Sequence, residues 1–379
     1  IAHSQKYKNI PDEKIFTSAE KLKQKYKDYS KASYLLPNYT LSDMSFWNPA
    51  EIIGDRSDNL AYSIYRYLIL NRAWNIGLVP LGYKKIDRDL IFRLGNKSYI
   101  EVETAFASLL PSQLDDTISE KLILHYIDKL RKNPELHDKI EFEIVHNCFA
   151  PITINQLEEL RPVLTKSEHR CFKQSLISLT QNIFDNYDTI KIKDLKDLRE
   201  LSIRRRKRIK ESKNASIKDK IKIIIDLLDD VRQLGTPQFS RMARLAFIGN
   251  QYLKGLVSKG IISNSDREYF LLNIDTVASD LNNDFNRVLS KKLTISDFNK
   301  FYGHLRPGTY DIKKLPYNKD FSYFSVRTKA NAKSKEKKVR KNNLVKFRKA
   351  IKDFLLNFEI SLSTNQLLNF IEQTTRYRE

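Results

Sequence analysis

The densest collection of reactive side chains is the run Tyr302-Gly303-His304-Leu305-Arg306-Pro307-Gly308-Thr309-Tyr310-Asp311-Ile312. It sets a base, a fixed cation, a phenol and an acid within one short loop. Gly303 and Gly308 permit positive φ, and Pro307 pushes Arg306 toward an extended backbone. A constrained polar loop of this kind suits contact with a small anion, and its competing account is a connector whose Arg306 and Asp311 pair with each other. A second candidate is the couple Arg241 and Arg244, one helical turn apart near a helix start, which would make an anion clamp. The competing account there is two ordinary exposed arginines. A third is the alternation of Glu101 with Glu103 and of Glu141 with Glu143. Two carboxylates on one strand face can hold a metal or act as acid and base, and they also line the wet face of many antiparallel sheets.

Segments that would carry these groups follow from periodicity and capping. Asn48-Pro49-Ala50-Glu51 reads as an N-cap, a first-turn proline and a reciprocal capping glutamate, with Gly54 ending the short helix. Capping alone is a sufficient physical account of Asn48 and Glu51. One helix is expected over Asp58–Asn75, and strands over 90–94 and 99–103 around a Gly95-Asn96 turn. A third strand is expected over Ile140–Val145, and a helix over Gln113–Lys132. From 152 to 232 the pattern is helical, with a basic run from Arg204 to Lys210 that reads as a solvated face, because no aromatic residue is interleaved. Thr236 should cap the next helix, with Phe239, Met242, Ala243, Ala246, Leu253, Leu256 and Val257 as its buried stripe. Arg241, Arg244, Ile248 and Gln251 would lie opposite. A single helix is expected over Ser263–Leu289, a Lys-rich linker over 326–349, and helices over Lys346–Phe358 and Ser363–Tyr377. A charged surface helix is expected over Ser18–Tyr29. The fold class is α+β, predominantly α-helical, with a small antiparallel sheet near residues 80–148. Domain organisation reads as a polar segment with a helix (1–42), a main module (43–325), and a basic linker with C-terminal helices (326–379).

Composition bounds the rest. The 67 Lys+Arg against 46 Asp+Glu leave a net charge of +21. Much of this is Lys scattered among Ile, Asn, Tyr and Phe, so the excess argues only weakly for nucleic acid. Cys148 and Cys171 stand alone, without the spacing of a zinc site, and fit a reducing, cytoplasmic setting. No apolar run reaches membrane-spanning length. Both ends read as cut from a longer polypeptide.

Several of these residues also fall into motifs. Trp47 through Gly54, Tyr99-Ile100-Glu101-Val102 with Phe106, Ser108 and Pro111, and His137 through Ile144 resemble segments of bacterial phosphoenolpyruvate synthase-like proteins. So do Gly235-Thr236-Pro237 with Phe239, Ala243, Arg244, Ala246, Phe247 and Ile248, then Thr276-Val277-Ala278 and the Tyr302–Ile312 loop. The resemblance is collinear over residues 43–315. It departs at Glu103 and Ala107, where the family has Arg and Asn.

The family, which includes a glutamine kinase, joins an ATP-grasp domain, a swivelling phosphohistidine domain and a middle module that holds the acceptor. ATP is split to AMP and phosphate as the acceptor is phosphorylated. The resemblance implies that this chain is the middle module alone. ATP and Mg2+ would bind outside it, the two other domains of the same polypeptide would be its partners, and the acceptor would be L-glutamine or a small carboxylic acid. His304 lacks the context of the swivelling histidine and is not the phosphohistidine. On this reading His304 and Arg306 are catalytic. Arg241, Arg244, Glu141, Glu143, Tyr310, Asp311, Asn48 and Glu51 form the substrate-binding set. No metal is expected in the chain. Alternatives from other classes are a non-catalytic scaffold between domains and a basic nucleic-acid-binding protein.

Overall fold

The computed structural model describes residues 40–42, 48–305 apart from Asn71 and Gly95, 315–320 and 342–378, with a few positions between 13 and 24. It is predominantly α-helical with one small antiparallel sheet, as the sequence predicts. The sheet holds β1 (Leu41–Ser42), β2 (Ile91–Leu94) and β3 (Lys97–Glu101) in the order β1-β3-β2. Ile91 faces Ile100 and Leu94 faces Lys97, the register of the expected hairpin.

Both expected carboxylate pairs dissolve here. β3 ends at Glu101, whose carboxylate accepts hydrogen bonds from the backbone N–H of Glu103 and Thr104. Glu101 thereby caps the short helix Val102–Ala107, and Glu103 lies inside that helix, so the two acids share no strand face. Ile140–Ile144 is not a strand but a π-helical turn, with Val145 N–H donating to Ile140 O at 3.0 Å. Ile140 and Ile144 both face the core, a spacing that a turn serves as well as alternation does.

In chain order the helices are α1 (Pro49–Ile53), α2 (Asn59–Ile69), α3 (Arg72–Leu78), α4 (Val102–Ala107, the helix capped by Glu101), α5 (Asp116–Lys132), α6 (Thr153–Gln156), α7 (Lys166–Ser212), α8 (Ile217–Leu234), α9 (Thr236–Ser258), α10 (Asn264–Leu272), α11 (Val277–Leu289), α12 (Ile295–Tyr302), α13 (Asn342–Leu355) and α14 (Thr364–Arg378). Two expected long helices are broken. Leu70 is extended, which separates α2 from α3. Thr276 and Ser279 form a capping box that starts α11 afresh after α10. α13 begins inside the expected linker. The rest of that linker, and most of the expected helix at 18–29, lie outside the described residues.

α9 is the hub. It packs against α14, α3 and α8, and is buried on nearly every side. The expected two-faced helix is therefore corrected: Arg241, Arg244 and Gln251 are buried, whereas Phe239 is half exposed. α9 also has Gly235 at its cap position, with Thr236 and Pro237 as its first helical residues, so Thr236 does not cap. Gly255 lets α9 meet the chain before α6: a Cβ there would lie 2.3 Å from Ile152 N. Leu367, Leu368, Phe370 and Ile371 of α14 belong to the same core. Phe285, Phe298 and Tyr317 form a separate small cluster around α11 and α12. Gly303, at the end of α12, has φ −62° rather than a positive φ. Its lack of a side chain serves close approach, since a Cβ would meet Asn299 O at 2.4 Å.

Candidate functional site

A cleft of about 800 Å3 opens beside the N-terminal half of α9. Segments far apart in sequence supply its walls, with Leu68, Ile69, Trp74 and Leu78 of α2 and α3 among them. Asn48 and Ile52 come from α1, Asp138, Glu141 and Phe142 from the π-helical turn and its approach, and Gly235 through Phe247 from the start of α9. Asn48 sits where a capping residue should, its carbonyl accepting from Ile52 N–H at 3.1 Å.

Arg244 is the central group. It is 4% exposed and donates from Nη2 to Glu141 Oε1 at 3.2 Å. Its Nε and Nη1 have no hydrogen-bond partner among the described residues. The guanidinium lies 5.8 Å from the centre of the Tyr83 ring and 5.6 Å from that of Phe247. A buried guanidinium with spare N–H groups is costly unless an acceptor arrives to satisfy them. Burial pushes the Glu141 carboxyl above its usual range, and Arg244 pulls against that rise. Burial likewise pushes the neighbouring Cys148 thiol up to about 12, so no thiolate forms there near neutrality.

A second cation reaches the cleft from α14. The Arg378 guanidinium stands 4.8 Å over the Phe247 ring and also lines the cleft. Sequence reasoning missed it, because no motif surrounds it and 131 positions separate it from Phe247 on α9; the amphipathic pattern of α14 was its only signal.

The other anticipated residues are not gathered here. Arg241 is spent on structure: Nε donates to Asp194 Oδ2 at 2.9 Å and Nη1 to Ile76 O at 2.6 Å. It does not line the cleft, so the two-arginine clamp is corrected to Arg244 alone on α9. Glu143 turns outward, 3.7 Å from Lys254 Nζ. His304 is exposed in the turn after α12, beside the separate small cluster, and is not among the residues lining the cleft. Arg306, Tyr310 and Asp311 lie outside the described residues, as does the side chain of Glu51. Among the described residues no group of His, Cys, Asp or Glu is arranged to hold a metal ion. No helix is long and apolar enough to cross a membrane.

Two members of the basic run on α7 are engaged in ion pairs with α8. Arg204 reaches Asp230 and Arg208 reaches both Asp226 and Asp230 on α8. Arg205, Arg206, Lys207 and Lys210 face solvent.

The arrangement suits capture of a small anion. Arg244 and Arg378 supply positive charge, the start of α9 adds its dipole, and Trp74, Phe142 and Phe247 lower the local dielectric. No protein-family model, curated protein or solved structure matches this chain.

Proposed function

We propose that the chain is the acceptor-binding module of an ATP-dependent phosphotransferase of the phosphoenolpyruvate synthase-like type. The acceptor is a small carboxylate-bearing molecule, an amino acid such as L-glutamine or a small carboxylic acid. ATP and Mg2+ would be handled by partner modules of the same polypeptide. One observation carries the reading. Three of the segments that resemble the family, around Asn48, Glu141 and Arg244, line one cleft. In it a buried arginine keeps two nitrogens unpartnered.

Arg244 would hold an acceptor carboxylate or the oxygens of the phosphoryl group, with Arg378 as the outer cation. Phosphoryl transfer disperses negative charge over oxygen atoms, and fixed cations lower its barrier by positioning and charge stabilisation. Glu141, which both holds Arg244 and reaches the cleft, would orient an amide or amine. The scaffold alternative rests on Glu103 standing where the family has Arg. Glu103 is buried in α4 and does not line the cleft, so that departure leaves the Arg244 contact intact.

A thermal-shift titration of the chain with L-glutamine, pyruvate and inorganic phosphate tests this. A ligand at ~100 times its Kd adds about 2.7 kcal/mol of stability. At least one of the three should raise the melting temperature of the native chain, and Arg244→Gln should abolish that rise. Absence of any rise, or an equal rise in the variant, would overturn the proposal.

A further inference from the structure

α7 runs well beyond the core. Its 47 residues span about 70 Å, and its last buried side chain is Asp194. In α8 the one buried residue is Asp230. The distal parts of the two helices form an antiparallel hairpin, held by Arg204 and Arg208 on Asp226 and Asp230. At ~100° per residue, those two aspartates lie on one side of α8, and Ile217, Ile221 and Ile224 lie on the opposite side. The three isoleucines are 79%, 55% and 56% exposed, with Ile225 exposed beside them.

Their spacing is informative. Ile217, Ile221, Ile224 and Leu228 follow the four-three-four steps of a coiled-coil seam, in which β-branched residues pack well. Lys218 and Lys220 occupy the positions flanking that seam, where coiled coils place the charges that choose a partner. Between Ile203 and Lys222 ten Lys and Arg stand against Glu211 and Asp219. A contiguous exposed apolar stripe, unlike scattered single residues, marks a contact surface.

Charge narrows the occupant. A second copy would set Lys against Lys along the seam. The segment at 321–341 of this chain is itself Lys-rich and mismatched for the same reason. Nucleic acid would leave the isoleucines unused, and no aromatic residue occurs in 188–238 to stack on bases or to anchor a helix in a lipid headgroup layer.

We propose that the distal α7–α8 hairpin docks an amphipathic α-helix of a protein partner, one whose apolar seam is flanked by Asp and Glu. The docking site lies on the far part of the hairpin and is independent of the cleft. Fluorescence anisotropy tests it with two labelled helical peptides of about three heptads. Both carry Leu in the seam; one has Glu and the other Lys at the flanking positions. The Glu peptide should bind the native chain. Ile221→Ser with Ile224→Ser should weaken that binding by ~10-fold or more. Lys218→Glu with Lys220→Glu should weaken the Glu peptide and strengthen the Lys peptide. All four positions are exposed, and circular dichroism melting should confirm that both variants stay folded. Failure of the Glu peptide to bind, equal binding of the two peptides, or native-like binding by the serine variant would overturn the proposal. So would saturable binding to duplex DNA or phosphatidylserine vesicles that the same substitutions abolish, since the surface would then serve those instead.

Discussion

Arg241 and Arg244 are the same residue type, one turn apart, both buried, and they do different work. Arg241 closes on Asp194, whose side chain is 1% exposed, and on the Ile76 carbonyl. Removing one partner of such a pair leaves an uncompensated buried charge. Arg241→Ala should therefore lower stability by about 3–5 kcal/mol, seen as a fall in the urea midpoint. Arg244→Gln should lose much less, because Glu141 is already biased toward taking a proton. It should instead remove the ligand-induced rise in melting temperature. A variant of Arg241 as stable as the native chain would refute this division. The sequence exposed both arginines but not their roles. The partner of Arg241 is Asp194, far along α7, and nothing local marks it as buried. Glu141 stood out only as half of a carboxylate pair, and its real pairing lies 103 positions away.

At the scale of elements, single-residue signals were readable only in part: Thr236 lies inside α9 rather than capping it, and the cap at Thr276 that breaks the expected helix went unread. Gly54 has φ +88° where the short helix was expected to stop. Misreadings arose where the same apolar periodicity runs across a break, as at Leu70, or where a five-residue alternation fits two geometries, as at Ile140–Ile144. Packing between elements gives a sharper test. Gly255→Ala would drive a Cβ into the backbone of Ile152, so α9 and the chain before α6 must separate. That substitution should cost about 1–3 kcal/mol. Gly249→Ala, whose Cβ would have no neighbour closer than 3.4 Å, should cost less. Denaturant midpoints for the two variants compare them directly, and the reverse order would show that the α9 contact yields easily.

Over the whole molecule, acid stability should reflect His146. It is buried, its Nδ1 2.9 Å from Tyr126 Oη and its Nε2 3.4 Å from Glu159. Burial lowers its pKa to about 3, helped by the charges of Lys129 and His125, while Gln156 pulls the other way. In the unfolded chain the imidazole titrates near 6.5. Between those values the unfolded chain holds a proton that the folded one lacks, so this contribution is full above about 6.5 and is lost as pH falls toward about 3. Glu101 and Glu141, raised by burial, act with the opposite sign as they take up protons. His146→Gln should thus show a smaller drop in urea midpoint than the native chain between about pH 7 and about pH 4.5. An identical drop would place acid sensitivity elsewhere. At this scale the sequence conveyed the helical class, but not that α14 joins the main core, since that contact depends on long-range packing rather than local pattern. The position of α14 also has a bearing on biosynthesis. The face of α9 near Gly249 is covered by Ile371 and Thr374, and Arg378 completes the cleft wall. A nascent chain on the ribosome can form α7 and α8 early, yet it has no finished core and no complete cleft until residues 364–378 have left the exit tunnel. The proposed ligand capture would therefore have to wait for those residues.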